Sequence, residues 1–225
     1  MIEIECKEAP ILASSLSRCF ANTTRISSLL SNYRDSNNSD ILRMCVPFLH
    51  ATIEDCMRNL LFFSLTNTQS KDLLNQVPLK GISNTGRSEK FLLGELAKFG
   101  NVTVKAIVEQ SVGEYVNRLT FNSSKDIMNW IKKLKINDSE IVPMLSALDE
   151  LISRRHNIVH NSDYSVNRSL LNSEVVVQLG TEDSYDFTSI DAEMIEKWLS
   201  VTSRFFMVII PLFLPSGAKI KMWNV

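Results

Sequence analysis

Glycine and proline are scarce in this chain, with 7 Gly and 6 Pro among 225 residues. Because both residues interrupt regular elements and mark tight turns, their scarcity favours long helices over many short strands. An excess of one charge is lacking as well, since 24 basic and 25 acidic residues leave a net charge of −1. The whole chain therefore has no general attraction for nucleic acid, and any binding of RNA or DNA needs a local basic surface.

Clustered metal ligands are also lacking. The cysteines form no C-x-x-C pair, and only three histidines accompany the four of them: Cys6, Cys19, Cys45 and Cys56. This spacing argues against a structural zinc site, so we predict no metal and no cofactor. The cysteines fall on apolar helical faces, where small buried thiols are common.

No apolar run is long enough for a membrane span. The most apolar segment, residues 205–214, covers about ten residues, which is half of what a spanning helix needs. We interpret it as a buried helix end that Pro211 stops, with an oligomer interface as the alternative. The acidic start, Met1–Cys6, does not resemble a signal peptide, and we expect a cytoplasmic protein in a reducing compartment.

What the chain does contain is helical periodicity along most of its length, which predicts one all-α domain spanning residues 1–225. Residues 1–38 are set apart as an N-terminal extension, and residues 162–184 as an irregular connection with one strand-like run at 174–179. The apolar spacing and the capping residues predict helices over about 8–32, 41–65, 88–99, 101–119, 123–134, 138–161 and 188–214.

The most informative segment lies at the end of the helix predicted over 138–161. At about 100° per residue, Arg155 falls roughly 20° from Leu148, in the middle of the apolar stripe. A guanidinium on a packing face needs either an acidic partner or a cleft that binds an anion. His156 and His160 lie along one edge of the same stripe, so a fixed cation stands beside two imidazoles.

Two chemical interpretations of this segment compete. His156 and His160 have the H-x-x-x-H spacing with which metalloproteases bind zinc, but Asn157 stands where the catalytic Glu belongs. Arg155 and His160 are instead separated by about 7.5 Å of helix rise, a workable span for holding a phosphodiester between a cation and a proton-transfer group. Histidine suits the proton transfer, and the planar guanidinium suits the phosphate.

A structural explanation stands beside both. Arginine and histidine near a helix C-terminus also interact favourably with the helix dipole, whatever the function. The local cations that could contact RNA are Arg154, Lys132 and Lys133, with Arg118, Lys125 and Lys135 nearby. A solvated helix face explains the lysines equally well.

Several stretches of the sequence resemble a known protein family. Residues 155–160, with R-x4-H spacing, resemble the R-x(4–6)-H signature of the HEPN superfamily, in which a small polar residue follows the arginine. Residues 51–60, 118–136 and 148–163 resemble stretches of the large bacterial HEPN proteins associated with RiboL-PSP systems. The resemblance covers about residues 41–215 and leaves residues 1–38 unaligned.

The resemblance implies a HEPN-like helical bundle with additional helices, a homodimer with paired motifs, and metal-independent endoribonuclease activity in toxin–antitoxin or phage-defence systems. Its expected partners are RNA and an antitoxin or other defence protein. Carried over by position, Arg155 polarises the phosphate, His160 is the acid/base, and His156 is a supporting polar group. Glu54 is implied to orient Arg155.

Two other functions remain open from the sequence. One is a non-catalytic HEPN module that binds RNA, a nucleotide or a partner protein through Arg155. The other is a helical interaction protein without an anion site, whose contact surface is the apolar run at 205–214. An Arg155 held in a salt bridge away from any cleft favours this last function, whereas tight binding without turnover favours the module.

Overall fold

Seven α-helices build most of the chain that the structure, a computed structural model, describes: residues 2–5, 10–79, 100–163, 188–213 and 219–222. The predicted all-α class is confirmed for these residues. The predicted helix at 88–99, the strand-like run at 174–179 and all but the first two residues of the connection at 162–184 lie outside them. The helices are α1 (Pro10–Ser36), α2 (Ser39–Asn67), α3 (Lys71–Leu74), α4 (Val104–Asn117), α5 (Ser124–Lys133), α6 (Leu145–Asn161) and α7 (Ala192–Ile209).

A short antiparallel sheet pairs the two ends of the chain, and the sequence analysis did not foresee it. Strand β1 (Ile2–Glu5) runs against β2 (Lys219–Met222), with Ile2 opposite Met222 and Glu5 opposite Lys219. Four-residue strands carry a weak periodicity signal, and each of these depends on a partner more than 200 positions away. The pairing places residues 2–5 beside residues 219–222.

Helix α2 is the centre of the bundle. It contacts α1, α4, α6 and α7, and twelve of its 29 residues are buried by these neighbours. Pro47 lies inside α2, which begins at Ser39. Its buried residues include Leu42, Val46, Leu49, Ile53, Met57, Leu60 and Leu61.

Helix α1 lies in the segment that the sequence analysis set apart as an extension. It packs along α2 over much of its length and also contacts α7. Leu12, Cys19 and Ile26 are fully or almost fully buried, and they belong to the same core cluster as the apolar residues of α2 and α7. Residues 10–36 are therefore an integral layer of the bundle.

Polar side chains cap three of the described helices, which begin within four residues of the starts that the sequence predicts. Asn38 accepts a hydrogen bond from the Asp40 amide at the start of α2, and Asp191 accepts one from Met194 at the start of α7. Ser123 forms a complete capping box with Asp126 at the start of α5. Each cap satisfies an amide that has no partner within the helix.

Replacing Ser123 by alanine is expected to destabilise the protein by about 0.5–2 kcal/mol, because the Asp126 amide loses its side-chain acceptor. The free energy of unfolding in urea measures this. Lys125→Ala is the matched control, since Lys125 is exposed on the first turn of the same helix, and its change should stay within about 0.5 kcal/mol. Equal effects of the two substitutions would show that the cap contributes nothing.

The apolar run at 205–214 ends α7 inside the core. Phe205, Phe206 and Ile209 are fully buried, and a 3₁₀ turn over Ile210–Phe213 follows at Pro211. The run therefore serves mainly as core, as the preferred sequence interpretation holds. Among the described helices, none combines the length and apolar character needed to cross a membrane.

The cysteines on the described helices are buried, free thiols: Cys19 in α1, and Cys45 and Cys56 in α2. Burial raises the pKa of Cys45 to about 11, because the thiolate would lose its hydration. A thiol held neutral in this way is a poor nucleophile, so Cys45 acts as a small apolar residue of the core.

Candidate functional site

The motif helix α6 starts later than the sequence predicts. The expected start was near Asp138, but a turn and a 3₁₀ segment over Val142–Met144 come first, and the α-helix begins at Leu145. Pro143 explains the difference, because its ring fixes φ and removes an amide that an α-helix uses within its interior. The helical phase from Leu148 onward is unaffected.

Arg155 lies where the packed face of α6 gives way to solvent. Its side chain is half-buried, and the same face continues to Val159, which is 48% exposed. No carboxylate pairs with Arg155 within the part of the chain that the structure describes. The salt-bridged Arg155 that would favour a purely structural role is therefore not found among these residues.

His156 and His160 stand together on the exposed edge of α6. One helical turn separates them, and their ring centroids lie 4.6 Å apart with the ring planes inclined by 45°. Both side chains are exposed. The structure thus brings two imidazoles and one guanidinium to the last two turns of a single helix, where a ligand can reach them.

The acidic partner expected for Arg155 is found on its neighbour, Arg154. Arg154 is only 7% exposed, and its Nη2 donates to Asp163 Oδ2 and to the Thr188 carbonyl oxygen, both at 2.8 Å. Burial lowers the pKa of the Arg154 guanidinium, and the adjacent Asp163 carboxylate opposes that shift. Arg154, predicted as an RNA contact, consequently offers RNA little surface.

Asp163 receives a second arginine from α2. Arg43 Nε donates to the same Oδ2 atom at 2.8 Å, and Asp163 itself is 1% exposed. The Asp163 amide donates to the Asn157 carbonyl, and its carbonyl accepts from the Thr188 amide. Sequence reasoning missed this residue, because an Asp just beyond a helix end reads as an ordinary turn.

Glu54, the residue implied to orient Arg155, has different partners. Its Oε1 accepts from the Phe121 amide at 3.1 Å, and its Oε2 lies 3.3 Å from Arg58 Nη2. His50 Nε2 contacts the Phe121 carbonyl at 2.9 Å, and Arg58 donates twice to the Leu119 carbonyl. These three side chains of α2 hold the connection from α4 to α5, and Glu54 forms no ion pair with Arg155.

A second carboxylate ties α5 to the motif helix. Asp149 of α6 accepts from the Ser124 amide and from the Ser124 hydroxyl, both at 2.7 Å. The 119–124 segment is therefore held from α2 on one side and from α6 on the other. This accounts physically for the segment's place in the resemblance, since it links the two helices that carry the remaining resembling stretches.

The two lysines predicted to contact RNA lie at the end of α5, and both are exposed. Lys133 Nζ donates to Gln76 Oε1 at 2.7 Å and lies 4.6 Å from the centroid of the Trp130 ring. Lys132 has no such bond to any residue in the described ranges. Lys132 is thus the more accessible cation, whereas Lys133 also fastens α5 to the segment after α3.

A cleft of about 280 Å³ opens elsewhere, between α1 and α2. Arg18, Arg25, Phe48 and Asp55 contribute to its lining. The Arg18–Asp55 ion pair and the Arg25 guanidinium over the Phe48 ring already engage its polar and aromatic groups. None of the residues of the α6 motif lines this cleft.

The motif offers acid–base and anion-binding chemistry. Imidazole side chains can serve as general acids and bases, and a guanidinium that no described carboxylate pairs with can bond a phosphate oxygen. Across the residues described, no group of three or more His, Cys, Asp or Glu side chains is arranged to hold a metal ion.

Comparison with known proteins identifies a family. The model of one family, described as RiboL-PSP-HEPN, matches residues 15–176. The match includes α6 and its motif, and it begins within α1, well before the stretch covered by the resemblance. No curated protein and no solved structure matches the chain.

Proposed function

The chain belongs to the RiboL-PSP-HEPN family, and from that premise we propose that it is a metal-independent endoribonuclease. Its motif is Arg155 with His160, and His156 supports them. The family is a helical one, and the bundle observed here agrees with it. Membership in this family supports a nuclease as the class of activity. The particular reaction that we propose is argued from the chemistry of the motif.

One observation carries the proposal. Arg155 is half-buried on the same last two turns of α6 as two exposed imidazoles, and it has no carboxylate partner among the described residues, whereas the adjacent Arg154 is paired with Asp163. A partly desolvated guanidinium without a counterion attracts an anion more strongly than one in open water. A phosphodiester bound there would lie beside the group that moves protons.

The proposed reaction needs no cofactor. An imidazole accepts the proton of a ribose 2′-hydroxyl, and the 2′-oxygen forms a bond to the adjacent phosphorus. The bond from phosphorus to the 5′-oxygen breaks, and that oxygen receives a proton from an imidazolium. Arg155 offsets the charge that builds on the non-bridging oxygens. The products are a 2′,3′-cyclic phosphate and a 5′-hydroxyl.

A homodimer forms part of the proposal. One chain supplies few proton-transfer groups, and a two-fold axis near the end of α6 would bring a second Arg155–His160 set to the same groove. The exposed side chain of Val159, on the same helical face as Arg155, is available for such an interface. Light scattering on the purified protein should then give twice the mass of one chain.

The biological setting that we propose is a bacterial toxin–antitoxin or phage-defence system, with RNA as substrate and an antitoxin or another defence protein as partner. This setting is taken over from the resemblance to the large bacterial HEPN proteins. Lys132 is the proposed additional contact to the RNA backbone, because its side chain is exposed.

Incubation of the purified protein with a defined RNA tests the proposed activity. We expect fragments that end in 2′,3′-cyclic phosphate, at a rate that EDTA leaves unchanged. A matched RNA with a 2′-deoxyribose at the cleaved position should resist cleavage there, because the attacking oxygen is missing. Cleavage of the deoxy substrate at the normal rate would contradict the mechanism.

Tight binding of RNA without turnover would instead favour the second function, a non-catalytic HEPN module. Arg155 would then act as an anion contact only, and its loss would weaken binding rather than abolish a reaction. Binding and cleavage are measured on the same RNA, by fluorescence anisotropy and by gel, so the two functions give different results.

A further inference from the structure

We propose that Arg43, Asp163 and Arg154 form a clasp that positions the motif residues for the reaction, an inference that rests on the proposed function. Arg154 comes directly before Arg155, and Asp163 follows His160 by three positions. Their ion pair therefore closes around the motif from both ends. Arg43 anchors the closed segment to α2. These three are positioning residues and need no contact with RNA.

The geometry of the clasp is tight. Asp163 Oδ2 lies 2.8 Å from Arg43 Nε and 2.8 Å from Arg154 Nη2. Arg154 Nη2 also donates to the Thr188 carbonyl, and the Thr188 amide donates back to the Asp163 carbonyl. The end of α6 is thus joined to α2 and to the segment that leads into α7. Few rotations of its last turns are compatible with all these bonds.

The backbone beyond the motif is held in an unfavourable conformation. Ser162 and Asp163 have φ values of 51° and 64°, a left-handed region that residues other than glycine rarely adopt. Two consecutive residues of this kind persist only where the surroundings determine them. Here the Asp163 side chain, amide and carbonyl are all engaged, so the clasp holds the chain in this turn.

A gain in the stability of the fold does not by itself account for this cluster of buried charged side chains. Burying charged groups removes their hydration, and an apolar replacement of a buried ion pair is often as stable or more so. Arg154 Nε and Asp163 Oδ1 moreover have no hydrogen-bond partner among the described residues. What a buried, directional set of bonds does provide is a defined orientation, and that is what Arg155 and His160 need.

The clasp should therefore control turnover more than binding. Asp163→Asn removes the charge but keeps the size, and Arg43→Gln removes one of the two arginines. For both variants we expect kcat to fall by about 10-fold to 100-fold, because small displacements of reacting groups have effects of this size. KM should change by less than twofold. Arg43→Lys should recover part of the activity lost in Arg43→Gln.

Glu150→Gln is the matched control. Glu150 also lies on α6 and pairs with Lys197 of α7 at 2.5 Å, but it lies before the motif and is exposed. Its kcat should equal that of the unmodified protein. All rates are normalised to the folded fraction from circular dichroism, so loss of folded protein is not counted as loss of turnover.

A second measurement separates failure of the clasp from failure of the proposed function. The ring signals of His156 and His160 in NMR spectra of the protein report their surroundings without any substrate. We expect Asp163→Asn and Arg43→Gln to shift the signals of both imidazole rings, and Glu150→Gln to leave these signals unchanged. Unchanged signals together with unchanged kcat would overturn the clasp. Shifted signals in a protein that cleaves no RNA would overturn the ribonuclease while keeping the positioning role.

Discussion

Alanine at Arg155 or at His160 is expected to lower the rate of RNA cleavage by about 100-fold to 10,000-fold. Without Arg155, the charge that develops on the phosphate is left to water. Without His160, proton transfer to the leaving oxygen loses its donor. Because the two residues act in one step, the double variant should be little worse than either single variant.

The fold should survive both substitutions. The His160 side chain is exposed and the Arg155 side chain is half-buried, without a carboxylate partner in the described ranges. The free energy of unfolding should therefore change by less than about 1 kcal/mol. Arg204→Ala is the matched control for charge, since Arg204 is an exposed arginine of α7. It should cleave RNA at the normal rate.

Full activity in His160→Ala would rule out the assigned mechanism. If only Arg155→Ala lost cleavage activity, Arg155 would still be the anion contact, and a group other than His160 would transfer the proton. His156→Ala discriminates further, because His156 touches the His160 ring. We expect its effect to be smaller than that of His160→Ala if it supports the other imidazole and does not itself transfer the proton.

Alanine at Phe206 is expected to lower the free energy of unfolding by about 3–5 kcal/mol. Phe206 is fully buried in α7, where its ring lies 6.0 Å from that of Phe205. The substitution leaves a cavity in the core cluster that small adjustments of the neighbouring side chains cannot fill. Chemical denaturation, with the midpoint and slope fitted together, measures the loss.

Met207→Ala is the matched control for this prediction. Met207 is the next residue of the same helix, and 36% of it is exposed. The loss in its free energy of unfolding should be well below that of Phe206→Ala, since Met207 is smaller in buried surface than the fully buried phenylalanine. A larger effect for Met207 than for Phe206 would indicate that the apolar run at 205–214 faces a partner, as the alternative sequence interpretation holds.

Local signals explain why much of the fold was predictable. The capping residues Asn38, Ser123 and Asp191 fix helix starts through bonds to amides two or three positions away. Such bonds depend on nearby residues only, so the sequence reveals them. The pairing of β1 with β2 escaped prediction, because it joins the two ends of the chain.

Part of the candidate site was likewise predictable from the sequence, and part was not. The spacing of Arg155, His156 and His160 on one helix follows from helical geometry, and the structure brings the two imidazoles together as that spacing requires. The partners of Arg154 and Glu54 did not follow. Helical phase placed Arg155 nearer the centre of the packing face than Arg154, yet Arg154 is the buried one.

The sequence by itself determined the helical class, the starts of most helices and the motif at the end of α6, because periodicity and caps act over a few residues. Only the tertiary structure decided which arginine is neutralised, since that depends on Asp163, on Arg43 of α2 and on Thr188 meeting in space. The physical reason is the separation along the chain over which each kind of interaction acts. An ion pair between elements depends on how the helices pack, and residue order along one helix does not determine that packing.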